Sequence, residues 1–168
     1  IEAGIYAKSR FIVRRLSHEE KQKSLLAYLK TGDYQVDKTI IFVKNELELN
    51  ELIAICRRHS INFISLNSYD SVEGQICDKS EEIWKQSDEN MLKVVLATDK
   101  AMVSYRLKNA QVIVHYTLPD KWTIFSKRFA ASHGSYKNYL EKLSPSIPKA
   151  IIMLDENNVM EIPRMISF

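Results

Sequence analysis

The sequence predicts an α/β fold built on a mostly parallel sheet with helices on both faces. Three observations carry this. Short runs rich in Val and Ile recur along the 168 residues. The runs are apolar nearly throughout rather than alternating, as strands covered on both faces are. Between them lie longer segments with apolar residues at helical spacing, the alternation of βαβ units.

The first run is RFIVRRL, starting at Arg10. Behind it, SHEEKQKSLLAYLK opens with Ser17 as an N-cap and Glu20 three positions on, the spacing of a capping box. Leu25, Leu26 and Leu29 follow at helical spacing, so a helix is expected. TIIFV at 39–43 is the second strand, and NELELNELIAICRRHS the second helix. Leu49, Leu52, Ile53 and Cys56 share one side of it, and Arg57 and Arg58 stand near its C-terminal end, where cations suit the helix dipole. NFISL at 62–66 is a third strand, and SVEGQICDKSEEIWKQ is expected to be a third helix burying Ile76, Ile83 and Trp84. KVVLA at 93–97, AQVIVHY at 110–116 and KAIIML at 149–154 complete the strands. DENN then reads as a turn or helix start, and VMEIPRMISF as an apolar tail that packs back on the domain or reaches a neighbouring one.

This length and a hydrophobic content of 45% suit one compact domain with a sizeable core. No repeat, low-complexity tract or signal-peptide layout is present, and no apolar run approaches the ~20 residues of a membrane span. The opening IEAGIY lacks an initiator Met, so the chain is expected to be a piece of a longer, soluble protein. Two cysteines, Cys56 and Cys77, make no disulfide framework, and Cys56 on an apolar helix side reads as a reduced core thiol, which suits the cytosol. A net charge of +3 permits an acidic partner without demanding one.

In open α/β sheets ligands sit beyond the carboxyl ends of the strands, so function is sought there. TIIFVKN puts Lys44 and Asn45 at one such end, and KVVLATDKA puts Thr98 and Asp99 at another. VIVHYTLP supplies His115 and Tyr116, and FSKRFAASHG follows on a helix. His18, His59, His115 and His133 are scattered without helical partners, so no metal site and no cofactor is read from them. His115 reads as a strand-end residue satisfying a loop carbonyl. Ser132 and His133 are adjacent in sequence, which does not produce triad geometry.

The order and spacing of these four blocks resemble the second RecA-like lobe of superfamily 2 RNA helicases, the DEAD-box group in particular. The resemblance covers nearly the whole chain and implies a RecA-like three-layer sandwich. IIFVKN is similar to motif IV, VVLATDKA to the start of motif V, and FSKRFAASHG stands where motif VI falls. The departures matter most. Where active members continue motif V with Arg-Gly-Leu-Asp, whose Asp reaches the nucleotide ribose, this chain has Val103, Ser104, Tyr105 and Arg106. Where motif VI carries its second and third arginines, which stabilise charge on the transferring γ-phosphate, Ala131 and Gly134 stand. Arg128 keeps the first arginine position, and Lys127 replaces the preceding His. The chain has no G-x-x-x-x-G-K-[ST] phosphate loop, which the family keeps in its preceding lobe.

The resemblance therefore implies a catalytically impaired, pseudo-helicase lobe. Phosphate contacts need donors rather than catalytic groups, so binding of single-stranded RNA can outlast lost ATPase chemistry; by resemblance Lys44, Asn45 and Thr98 grip the RNA backbone. Asp99 and Arg128 are expected to brace the loops. An active lobe that borrows a partner's arginine is one alternative, and a protein-interaction module is another. For the latter Tyr105 and Tyr136, expected in loops, are the interface residues, whereas Phe125 and Phe129 at helical spacing read as core. The decay of motifs V and VI is most similar to that in the Tudor-domain helicase-like proteins of the PIWI-interacting RNA pathway, the insect Yb group and its vertebrate relatives. That similarity implies a cytoplasmic scaffold in perinuclear ribonucleoprotein granules, with PIWI-pathway partners and self-association, and no membrane.

Overall fold

A computed structural model describes residues 10–30, 38–66, 94–104, 107–143, 147–158 and 161–166. Six strands form one sheet: β1 (Arg10–Leu16), β2 (Thr39–Val43), β3 (Ile64–Leu66), β4 (Val94–Thr98), β5 (Val112–His115) and β6 (Lys149–Asp155). Their order across the sheet is β1-β6-β5-β2-β4-β3, and every pairing is parallel. The third and fifth strands are shorter than the apolar runs that predict them. The expected third helix over 71–86 lies outside the described residues.

Helices α1 (His18–Lys30), α2 (Glu46–Arg58), α3 (Asp99–Ser104), α4 (Trp122–Arg128), α5 (His133–Leu140) and α6 (Glu161–Ile166) accompany them, with a 3-10 turn over Phe129–Ser132. Residues of β2 alternate between the two faces because successive strand side chains point oppositely. Ile41 and Val43 pack with Leu25 and Leu29 of α1 and with Leu49, Leu52 and Cys56 of α2. Ile40 and Phe42 pack on the other face with Ala101 of α3, Phe125 of α4, and Phe129 and Ala131. The three layers of a RecA-like sandwich result.

Local chemistry starts the first two helices. Ser17 accepts from the Glu20 backbone N–H at 3.3 Å, and its hydroxyl donates to the Glu20 carboxylate at 3.0 Å. Asn45 caps α2, its Oδ1 accepting from the Glu48 N–H at 3.0 Å. Cys56 is buried, and that burial pushes its thiol up to about 11. After β6 an Asp155 turn follows, closed by Asn157 N–H donating to Asp155 Oδ1 at 2.9 Å. No described helix is long and apolar enough to cross a membrane.

Candidate functional site

Parallel pairing brings the carboxyl ends of β2, β4 and β5 to one edge, so Lys44, Thr98 and His115 arrive there together. The centre of that edge is Arg128, from the last turn of α4, with a side chain only 1% exposed. Its Nε and Nη2 donate to the two carboxylate oxygens of Asp99, each at 2.7 Å. Its Nη1 donates to the Thr117 carbonyl at 2.9 Å and to His115 Nδ1 at 3.1 Å. The guanidinium carbon lies 4.9 Å from the Phe42 ring centroid, a cation–π distance. One buried cation thus ties the start of α3, the end of β5 and the following loop to α4.

Arginine offers no acceptor, so His115 Nδ1 must accept and the ring proton sits on Nε2. That corrects the expectation for His115: Arg128, not His115, satisfies the loop carbonyl. His115 Nε2 is buried without a hydrogen-bond partner among the described residues, within a nest of Phe42, Phe125 and Phe129 rings. Burial, and then the adjacent Arg128 charge, hold its pKa well below 6.5, so it is neutral.

Thr98 is buried, and its Oγ1 accepts from the Ala101 N–H at 3.2 Å, capping α3. Lys44 and Asn45 are exposed. Arg57 and Arg58 stand at the far end of α2, about 20 Å away at 1.5 Å per residue, and belong to the opposite edge of the domain. Of the motif V positions, Val103 and Ser104 end α3, while Tyr105 and Arg106 lie outside the described residues. Tyr136 is placed in α5, half-buried against the core, which corrects the expectation of a loop. Phe125 and Phe129 are core residues.

Ala131 is 2% exposed, and its carbonyl accepts from the Ala110 N–H at 2.9 Å. Gly134 lies under the Asn109 side chain. A Cβ there would fall 1.6 Å from Asn109 Oδ1 and 2.8 Å from its Cγ, so only glycine fits the present arrangement.

Two residues carry weight that the sequence reading missed. Glu48 Oε1 accepts from the Lys44 N–H at 3.2 Å and from the Thr117 hydroxyl, joining the β2 and β5 loops. Asn45 and Glu48 have the N-cap and N3 spacing of a capping box, the signal that would have found it. Lys21 is buried on α1, with Nζ donating to the Tyr116 carbonyl at 3.2 Å, and its position one turn before Leu25 is the corresponding clue. Among the described residues no group of three His, Cys, Asp or Glu could hold a metal.

This is the fold of a helicase C-terminal, RecA-like lobe. SrmB, an E. coli DEAD-box protein, superimposes with a TM-score of 0.66 at 18% identity over 93% of this chain and 82% of that one. A DEAD-box protein of Methanococcus jannaschii gives 0.66 at 16% identity over 95% of this chain and 39% of that one. The C-terminal domain of the DEAD-box protein Dbp5 gives 0.61 at 15%, over 93% and 79%. Such identities establish the fold alone. In sequence the chain resembles the helicase-like proteins TDRD12 of Bombyx mori, at 21% identity over 99% of this chain, and BoYb of Drosophila melanogaster, at 19% over all of it. It spans 9% and 16% of those two proteins. No family model matches the chain.

Proposed function

We propose that this chain is a pseudo-helicase C-terminal lobe, without arginine fingers, that serves as an RNA-binding and/or self-assembly platform in PIWI-interacting RNA biogenesis. One observation carries the reading. The two finger positions hold a buried Ala131 and a Gly134 roofed by Asn109. Neither supplies a guanidinium, and a finger contributes roughly 10³ to 10⁵ in rate. A γ-phosphate therefore does not fit the donors at these positions. Arg128 is already engaged with Asp99, His115 and Thr117.

RNA binding needs less. Lys44 and Asn45 are exposed at the end of β2, where a sugar–phosphate chain can pass. Contacts of this kind with a net charge of +3 make binding weak, salt-sensitive and indifferent to sequence. The similarity to TDRD12 and BoYb, both named as RNA helicases, supports an RNA partner for the full-length protein, and a cytoplasmic granule setting belongs to the proposal. Its PIWI-pathway partners bind through that larger protein.

Two measurements test the reading. The full-length protein is expected to show no RNA-stimulated ATP hydrolysis; turnover that rises with RNA sinks the pseudo-helicase reading. Fluorescence anisotropy of the chain with single-stranded RNA is expected to show binding at low salt that fades at high salt and weakens in Lys44→Ala. Absence of binding at low salt, with a dimer by light scattering, favours a protein-interaction module instead.

A further inference from the structure

A groove of about 500 Å³ opens between α3 and the segment formed by α4 and the 3-10 turn. Its walls are carbon: Met102, Leu107, Ile124, Ala130 and Ala131. Two alanines on one side leave it wide, and the volume suits one or two large side chains. Among the described residues the open charge stands at the rim, where Lys100 and Lys127 are exposed with Lys108 beside them, while the Arg128 that also lines the groove is buried. The carboxylate that lines it, Asp99, has both oxygens bound to Arg128 and does not offset those lysines.

An apolar slot ringed by ammonium groups selects its occupant by chemistry. A nucleobase needs a ring to stack on. Phe42, the one aromatic lining the groove among the described residues, is 1% exposed and lies against the Arg128 guanidinium, so it offers no open face. A phosphate chain gains nothing from the carbon walls. We infer that the groove docks a peptide of a partner protein in which a large apolar side chain is flanked by acidic residues. The apolar anchor fills the slot, and the flanking carboxylates meet Lys100 and Lys127. The inference does not depend on the RNA reading, because Lys44 is not among the residues lining this groove.

The test uses the chain with three fluorescein-labelled probes: a short peptide with a central Leu-Phe pair between glutamates, the same peptide with glutamines, and oligouridine. The acidic peptide is expected to bind, and the glutamine version to bind roughly tenfold more weakly, about 1.4 kcal/mol. K100E/K127E is expected to weaken the acidic peptide by at least roughly tenfold. Ala130→Trp, at a half-exposed position, fills the slot and is expected to abolish binding of both peptides. Both variants are expected to keep the parent's unfolding midpoint, while Lys44→Ala leaves peptide affinity unchanged. No peptide binding, binding indifferent to both variants, or displacement by oligouridine of a peptide that Lys44→Ala also weakens each overturns the inference. So does a dimer of the chain that Ala130→Trp dissociates, since the slot would then belong to a second copy.

Discussion

Arg128 and Asp99 meet through two parallel bonds of 2.7 Å, one at each carboxylate oxygen. The geometry is the fork-to-fork pairing that makes arginine hard to replace. The arginine side chain is 1% exposed and the aspartate 27%, so the two partners respond differently to loss.

Asp99→Ala strands a buried cation, and the expected cost is about 3 kcal/mol, read as a lower urea midpoint at unchanged slope. Arg128→Met with Asp99→Leu removes both charges and keeps bulk on Phe42. That double variant is expected to be more stable than Asp99→Ala alone. An additive loss for the pair would mean that the two residues do not act as a unit.

Acid stability follows from His115. Its folded pKa lies well below the 6.5 it has when exposed, because of burial and then Arg128. Below pH 6.5 the unfolded chain takes up a proton that the folded chain refuses. Stability therefore falls with pH from that point, by up to about 1.4 kcal/mol per unit until the folded pKa is reached, and is unaffected by this group above it. Denaturant melts between pH 7 and 5 are expected to show this slope and His115→Gln to flatten it.

The strand centres were legible because uniformly apolar β-branched runs allow few other readings. What the sequence hid was tertiary. Tyr136, two residues past Gly134, is expected in a loop from the sequence. The structure continues α5 through both residues, with the Asn109 side chain lying against the glycine. Asn109 is separated from Gly134 by the whole of α4, a contact no local pattern announces. The His115 expectation failed for the same reason: its partner is an arginine on another element.

Asn109 holds a positive φ of 65°, a conformation glycine adopts freely. Gly134→Ala is expected to cost no more than about 1 kcal/mol, because the group displaced is the far end of the exposed Asn109 side chain and helix propensity favours alanine. Asn109→Gly, which removes the obstructing side chain, is expected to recover most of that loss. Thermal melts of the four proteins in the cycle decide it; equal losses with and without Asn109→Gly refute the contact as the cause.

Cys56, with its thiol pushed up to about 11 and buried behind α2, has almost no thiolate at neutral pH. In a Cys77→Ser background, labelling by iodoacetamide is expected only at the rate at which the domain opens. Rapid labelling in native buffer would place the thiol at the surface.

The outer pairing of the sheet joins Arg10 to Lys149 and Leu16 to Asp155. On the ribosome the first strand must therefore wait, unpaired, until nearly the entire domain has been synthesised. Its exposed Phe11 and Val13 are open to other chains throughout that interval. Closure of the loop between the two strands is also the costliest step in conformational entropy, so the β1 edge should be the last part of the sheet to assemble and the first to detach under load.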